Sequence, residues 1–459
     1  MNILLINHYA GSPELGMEFR PYYMAKEWVK AGHQVLIVGG SFSHLRKVQP
    51  QGKEDLIEGI HYRWVKLNAY KGNGIGRIRS MFSFVSKFWW GYKKYIGDFE
   101  PNVVIASSTY PLDIYPAYRI AKHFKAKLVF EIHDLWPLSP MLLGGYSKYH
   151  PFIVALQVAE NYAYKHCDKC ISILPNVRAH VLKHGLAINK LYIVPNGFDE
   201  EEWRKGIELL PEMQNFFYNL KRENKQILGY IGGHALSNAL DVLIDAMALI
   251  KNKDIVAVFV GKGNEKEKLM NDANKQGLNN VYFLDPVDKR MVPSLLKEMD
   301  VLYLGGKNQP LYQYGTSQTK LFDYMQAAKP VIQTISPPNN YVAEAQCGIT
   351  IVGLRANRCG GRRVLRGALF HGAEYPGSAR MGAGVFGAAR YAGAFCRSAG
   401  PGASQRQFGL RRQAADGARS APHPCRAAGN DAALVAEDGQ EQAAPYAQRP
   451  YGCGTVTED

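Results

Sequence analysis

With 459 residues, 46% of them hydrophobic and 21% charged, the chain has the length for two or three domains with sizeable cores and the balance of a soluble globular protein. No run reaches the roughly 18 apolar residues that a membrane-spanning helix requires. The net charge of +15 divides into +9 for residues 1–352 (31 Lys and 10 Arg against 32 acids) and +6 for residues 353–459 (14 Arg, no Lys, 8 acids), so the body is moderately basic. That favours acidic partners such as nucleotides or anionic lipid, and with no nucleic-acid motif beside it DNA and RNA are not expected partners.

The first residues, Met1-Asn-Ile-Leu-Leu-Ile-Asn7, lack a basic leader and a cleavage site and read as a buried strand rather than a signal peptide. Strand candidates follow at 34–38, 103–106, 127–132, 169–173 and 191–194. A helix over 17–31, ended by Gly32-His33, lies between the first two. Strand, loop, helix, glycine and strand within 40 residues is the unit of a doubly wound sheet, whose ligands sit beyond the carboxyl ends of the strands. The loop from His8 to Gly16 and the one after Ile132 therefore mark the expected cleft. Cys167 and Cys170 form the one close cysteine pair; with no second pair at zinc spacing, the seven cysteines read as reduced thiols and no metal site is expected.

Pro195-Asn-Gly197 and the acidic stretch after it mark a hinge, and the pattern then repeats. Strands are expected at 227–231, 256–260, 281–284, 301–304, 330–333 and 349–352, with helices over 239–250 and after Gly261-Lys-Gly263. The reading is α/β with two Rossmann-like domains, 1–200 and 201–352. After Val352 the composition changes: the last 107 residues hold 23 Ala, 18 Gly and 14 Arg but no Lys or Ile. Such a segment has little apolar surface to offset its ordering entropy. It reads as a tail at 353–459, either naturally disordered or translated out of frame, and is assigned no function.

The most informative stretch is Tyr314-Gly-Thr-Ser-Gln-Thr-Lys-Leu-Phe-Asp-Tyr-Met-Gln-Ala-Ala-Lys-Pro-Val-Ile332. A Gly-Thr-Ser turn opens a short helix, Lys320 and Asp323 project from its first turns, and Lys329-Pro330 stops it before a buried strand. Free N–H groups and the positive dipole end of such a helix suit a phosphate, and a carboxylate one turn on can accept hydrogen bonds from a ribose.

This stretch resembles the donor-binding signature of glycosyltransferase family 4, retaining sugar-nucleotide transferases with the two-domain GT-B fold. His8-Tyr-Ala-Gly-Ser-Pro13, Gly16-Met-Glu-Phe-Arg-Pro21, Ala31-Gly-His33, Ser41-Phe-Ser-His-Leu-Arg46, Glu131-Ile-His-Asp-Leu-Trp-Pro137, Ile193-Val-Pro-Asn-Gly197 and Gly261-Lys-Gly263 extend the resemblance over residues 1 to about 352. It is nearest to the bacterial branch that builds O-antigen and capsule polysaccharide, including fucosamine transferase-like enzymes. The resemblance implies transfer of a hexose-type sugar from a nucleotide diphosphate sugar, UDP-linked by family likeness, to a polyprenyl-linked glycan, without a cofactor or metal. It implies catalytic positions at His133 and Asp134. Donor-binding positions are Gly16, Gly232, Gly233, Lys262, Thr316, Ser317, Lys320 and Asp323. Gly16 would bring backbone close to the diphosphate, Lys262 and Lys320 would neutralise it, and Asp323 would hold the ribose. Two departures stand out: the first acid of the two-acid motif is replaced by Gly315, leaving Thr316 and Ser317 as neutral neighbours, and the Arg that follows the glycine of Tyr230-Ile-Gly232 is replaced by Gly233. Two other readings remain: a chain that binds nucleotide but is catalytically dead because its C-terminus is altered, and a sugar-nucleotide epimerase on the same fold.

Over residues 77–96, Ile78, Met81, Phe82, Val85, Phe88, Trp89, Tyr92, Tyr95 and Ile96 follow helical spacing, with Arg77, Arg79, Lys87, Lys93 and Lys94 opposite. This face suits either a core contact or an anionic membrane surface. Phe84 and Trp90 lie off the stripe and keep the membrane reading open. The expected location is cytoplasmic, with docking on the inner face of the plasma membrane if the stripe meets lipid.

Overall fold

The computed structural model describes residues 1–72, 74–307 and 309–351; the tail expected at 353–459 lies outside the described residues. In chain order the elements are β1 (Asn2–Ile6), α1 (Arg20–Lys30), β2 (Gln34–Gly40), β3 (Glu54–Ile57), β4 (Ile60–Val65), α2 (Ile75–Ile96), β5 (Val103–Ala106), α3 (Ile114–Phe124), β6 (Lys127–Ile132), α4 (Leu138–Gly144), α5 (Pro151–His166), β7 (Lys169–Ser172), α6 (Arg178–Lys183) and β8 (Leu191–Ile193). They continue as α7 (Glu200–Arg204), α8 (Pro211–Arg222), β9 (Gln226–Ile231), α9 (Leu240–Met247), β10 (Ile255–Val260), α10 (Lys266–Lys275), β11 (Val281–Leu284), α11 (Val292–Glu298), β12 (Val301–Leu304), α12 (Thr319–Gln326), β13 (Val331–Gln333), α13 (Tyr341–Glu344) and β14 (Gly348–Thr350).

Two sheets form. The first has the order β3-β4-β2-β1-β5-β6-β7-β8 and the second β11-β10-β9-β12-β13-β14. Among the described residues every strand pairing is parallel except β3 with β4. Parallel strands are covered by helices on both faces, which is why their sequences read as continuous apolar runs. In β1, Leu4 and Ile6 join the cluster that holds Phe84 and Phe88, while Ile3 and Leu5 join Tyr22 and Ala25 on the other face. In β10, Val256, Val258 and Val260 face one way and Ile255, Ala257 and Phe259 the other. The fold is therefore a pair of Rossmann-like domains, as expected. Strand order reverses between β1 and β5 in one sheet and between β9 and β12 in the other, and ligands of open α/β sheets bind beyond such switch points.

The antiparallel hairpin β3–β4 was not expected from the sequence. Its turn, Glu58-Gly59, takes φ +48° and +80°, the left-handed pair of a type I′ hairpin turn. Helix α1 starts at Arg20 rather than at Met17, with Pro21 in its first turn.

Helix α2 settles most of the aromatic stripe. Met81, Phe84, Phe88, Tyr92 and Ile96 are buried in the first domain's core, so the stripe faces protein. Phe84, read from the sequence as hard to bury, is fully enclosed because it stacks 4.7 Å from His8, itself a core residue. Trp90 remains 78% exposed and Phe82 44%, among exposed Arg79, Lys87, Lys93 and Lys94. No helix among the described residues is long and apolar enough to cross a membrane.

Candidate active site

The second sheet's switch point is built from backbone packed on backbone. Gly232 (φ +136°) ends β9 and Gly261 (φ +149°) ends β10, and a Cβ on Gly261 would lie 2.0 Å from the Gly232 carbonyl oxygen. A Cβ on Gly263 would meet the His234 carbonyl oxygen at 2.3 Å, so these glycines are required by the approach of the two loops. Gly233 faces open space, with nothing within 4 Å of where its Cβ would be. Its carbonyl oxygen accepts hydrogen bonds from the Tyr230 hydroxyl (2.7 Å) and Asn238 Nδ2 (2.8 Å).

Lys320, in the first turn of α12, reaches this floor. Its ammonium donates to the Tyr230 hydroxyl at 2.9 Å and Asn238 Oδ1 at 3.0 Å, and lies 4.6 Å from the Tyr230 ring centroid. A Cβ on Gly232 would be 3.4 Å from its Nζ. Among the described residues no carboxylate pairs with Lys320, and burial pushes its pKa down to about 8. The residue before α12, Gln318, gives the helix no side-chain cap. An ammonium without a counter-ion beside an uncapped helix start is an arrangement for an anion. Lys262 sits on the exposed rim between Gly261 and Gly263, with no ion-pair partner among the described residues.

Asp323, one turn further along α12, is buried, and Lys289 Nζ donates to both its oxygens at 2.9 and 2.8 Å. Burial pushes the Asp323 carboxyl up and Lys289 draws it part of the way back. Sequence reasoning gave Lys289 no role: it lies 34 residues away, in a turn after β11. Two hydrogen bonds fill about half of a carboxylate's acceptor capacity.

Thr316 and Ser317 hold the loop before α12 in place. The Thr316 N–H donates to Asn339 Oδ1 (2.9 Å), and Asn339 Nδ2 returns a bond to the Thr316 carbonyl (2.7 Å). Asn196 donates from its backbone N–H to Ser317 Oγ (2.7 Å) and from Nδ2 to the Ser317 carbonyl (2.8 Å). The Ser317 oxygen read from the sequence as a hydroxyl or phosphate contact is thus an acceptor for the hinge. Gly315 takes φ +89°, and a Cβ there would meet Pro175 at 2.6 Å and Asn339 Oδ1 at 2.7 Å. An acidic side chain has no room at this position.

On the first sheet, β6 delivers Glu131 and His133 to its carboxyl end. His133 Nε2 lies 3.0 Å from Ser107 Oγ and 3.2 Å from Glu131 Oε2, and the Ser107 hydroxyl donates to Glu131 at 2.7 Å. Arg20 donates from Nε to Glu131 Oε1 at 2.9 Å. Burial pushes the Glu131 carboxyl up, but the Arg20 charge, His133 and the hydrogen bonds from His133 and Ser107 outweigh it and hold the carboxyl well below the usual range. Arg20 also donates to the carbonyls of Val194 (2.9 Å) and Pro195 (3.3 Å) and to Asn196 Oδ1 (3.0 Å). One hydrogen-bonded chain therefore runs from His133 through Glu131, Arg20 and Asn196 to Ser317. Arg20, Glu131 and Asn196 lie in the sequence motifs, but only their meeting in space reveals the chain.

Asp134 has a different part. Its Oδ1 accepts from the Ser139 hydroxyl (2.6 Å) and the Leu135 N–H (2.8 Å), tying the turn into α4, and burial pushes its carboxyl up. Gly16 also has a local reason: it bridges to Ser12 and Arg46, and with φ +104° a Cβ would meet the Lys47 backbone nitrogen at 2.6 Å. The close backbone approach expected at Gly16 is made by the Arg46–Lys47 segment.

Comparison with known proteins gives two family matches: Glycosyltransferase Family 4 over residues 16–202 and Glycosyl transferases group 1 over residues 225–355. No curated protein matches the sequence. Among solved structures, sucrose-phosphate synthase from Thermosynechococcus elongatus superposes with a TM-score of 0.61 at 15% identity, covering 88% of this chain and 98% of that one. WaaG, a glycosyltransferase involved in lipopolysaccharide biosynthesis, gives 0.57 at 16% identity, covering 88% and 95%. Anabaena HepE in complex with UDP and glucose gives 0.55 at 15% identity, covering 87% and 95%. At these identities the likeness is one of fold.

Proposed function

The chain is a glycosyltransferase of the GT-B type, matched in both of its domains, and from that premise we propose that it moves a sugar from a nucleotide diphosphate sugar to a lipid-linked glycan with retained anomeric configuration, in cell-surface polysaccharide synthesis. The observation that carries the donor side is Lys320: an ammonium with no carboxylate partner among the described residues, set on a glycine floor beside an uncapped helix start. As the sugar leaves, negative charge grows on the diphosphate. Lys320, the first N–H groups of α12 and Lys262 on the rim are disposed to stabilise it, and preorganised donors of this kind lower such barriers most.

On the facing sheet, His133 donates through Nε2 into Ser107 and Glu131, which fixes its tautomer and leaves Nδ1 to accept from a sugar hydroxyl. Asp134 acts as a positioning residue through Ser139. UDP as the nucleotide is supported by the HepE complex with UDP and glucose, and a surface-polysaccharide role by the likeness to WaaG. Docking on the inner face of the plasma membrane would rest on exposed Trp90, Phe82 and the lysines around them. The composition after Val352 favours a second reading, a chain that binds nucleotide without turnover.

The test is a thermal-shift panel on the full chain with UDP, GDP, ADP and CMP, followed by donor turnover with and without a polyprenyl-linked acceptor. A ligand at 100 times its dissociation constant adds about 2.7 kcal/mol of apparent stability. A shift with UDP alone and acceptor-dependent release of UDP are the expected results. No shift with any nucleotide would overturn the donor assignment. Binding without turnover would select the second reading, and product formed without acceptor would mean an epimerase.

A further inference from the structure

Helices α5 and α6 bring together three side chains that the glycosyl-transfer chemistry does not use. Glu160, on α5, is 1% exposed. Its Oε1 accepts from His180 Nε2 at 2.8 Å and the Tyr164 hydroxyl at 2.9 Å, and its Oε2 from Gln157 Nε2 at 2.7 Å. His180 and His184 stand four residues apart, so their rings lie one above the other on the face of α6 turned to α5, with centroids 4.5 Å apart. One ligand-capable atom from each of Glu160, His180 and His184 falls within 4.8 Å of the other two.

Glu160 is a buried carboxylate whose only ion-pair partner among the described residues is His180, which is charged only when protonated. Three hydrogen-bond donors meet that charge, and a cation in their midst would stabilise it further. We propose that Glu160, His180 and His184 form a binding site for a divalent transition metal of the zinc class, pinning α6 to α5. Two imidazoles and one carboxylate suit zinc or cobalt rather than calcium or magnesium, which take oxygen ligands. Bonds of about 2.1 Å in tetrahedral geometry set ligand atoms about 3.4 Å apart. The separations here, from 2.8 Å for Glu160 and His180 to at most 4.8 Å, bracket that value. The fourth position falls to water, on the side of the exposed Asn161, whose Oδ1 lies 3.0 Å from His184 Nδ1.

The site lies next to the junction between the two sheets. The His180 ring meets Tyr314 edge-on at 5.6 Å, and Asn176, just before α6, donates to the carbonyls of Tyr314 (3.0 Å) and Gln313 (2.7 Å). Those residues lead directly into Gly315 and the donor loop. A metal that stiffens α6 would therefore hold the junction, away from the reacting atoms.

The experiment uses the full chain without an affinity tag, treated with chelator and titrated with cobalt(II) and zinc(II). The expected result is one equivalent of cobalt with a tetrahedral visible spectrum, displaced by zinc, and a melting temperature raised by either metal. His184→Ala, at a partly buried position, is expected to stay folded by circular dichroism and to weaken cobalt binding at least tenfold. Glu160→Gln is the second variant, read the same way. Absence of saturable binding would overturn the proposal and leave a hydrogen-bonded cluster only. One equivalent bound unchanged in both variants would also overturn it, placing the metal elsewhere. Nucleotide binding is measured in the same samples, so failure of the metal site is distinguishable from failure of the donor site.

Discussion

On the proposed donor assignment, Lys320 ties nucleotide affinity to pH. Burial sets its ammonium at about 8, against an ordinary value of 10.5. A diphosphate bound beside it favours the charged form and raises that pKa again. Between the free and bound values each binding event takes up a proton, so affinity falls as pH rises. With a free value of 8 the affinity scales as the protonated fraction, which drops about tenfold between pH 7 and pH 9, or roughly 1.4 kcal/mol. Stability of the free protein moves the other way. Between pH 8 and 10.5 the unfolded chain holds more protons at this lysine than the folded one, so the Lys320 contribution to stability rises with pH through that window. The assay is calorimetric titration with inorganic pyrophosphate at pH 7, 8 and 9, in two buffers of different ionisation enthalpy. About half a proton should be taken up per complex at pH 8. In Lys320→Gln the pH profile should flatten and the affinity at pH 7 should fall by tenfold to a hundredfold, the loss of one charge-assisted hydrogen bond. The variant's melting temperature should hold or rise, since an unpaired buried charge has been removed. A wild-type affinity flat across pH 7–9, or a Lys320→Gln variant that binds within twofold of the parent, would refute the assignment.

Arg20→Met leaves Glu131 buried without its cation and is expected to destabilise by about 3–5 kcal/mol, read by urea denaturation. Because the folded pKa of Glu131 is depressed, its pairing contributes stability that is present above its ordinary 4.5 and lost as pH falls below that value. The variant should weaken that acid-side slope, leaving what His133 and Ser107 supply, and an undiminished slope would mean that Arg20 is not what holds Glu131. Gly315→Glu, which restores an acid where the resembled motif has one, meets Pro175 and Asn339 at a left-handed φ and should lower stability by about 2–4 kcal/mol. A variant as stable as the parent, measured by thermal melting, would show that the junction yields. His133→Ala should reduce turnover well beyond twofold with little change in nucleotide affinity; turnover within a factor of two would remove His133 from the chemistry.

The fold was legible where burial is symmetrical. Strands such as β1 and β10, covered on both faces, appear in the sequence as unbroken apolar runs, and Gly261 marks the end of β10. The β3–β4 hairpin was missed because its signal is a turn, Glu58-Gly59, rather than an apolar run, although Ile60, Tyr62 and Trp64 alternate inward along β4. Phe84 shows the limit of a helical-wheel reading: a residue off the stripe is still buried when the neighbouring core offers a surface, here the ring of His8. At strand ends and the helix start, residue types single out His133 and Lys320 as candidates. Partnerships are not singled out this way, since Arg20 with Glu131 spans 111 residues, Asn196 with Ser317 spans 121 and Lys289 with Asp323 spans 34. Ser317 and Asp134, whose side chains tie down backbone, look in sequence just like side chains that meet a ligand.

The departure from the resembled motif at position 315 follows from packing. Gly315 lets the donor loop close on Pro175 and Asn339, and this brings Ser317 within 2.7 Å of the Asn196 N–H. Asn196 is in turn gripped by Arg20, whose other bonds hold Glu131 and the hinge carbonyls. An acid at position 315 would break that closure, so the loop has exchanged a carboxylate for a junction. The exchange also changes the electrostatics. Asp323 is neutralised by Lys289, no acid stands at 315, and Lys320 has no carboxylate partner among the described residues. A buried cation without an acid beside it attracts a diphosphate more strongly than the same cation paired with one, because the opposing charge and its desolvation are both absent. The loss of an acid from the motif therefore argues for anion binding at Lys320 rather than against it.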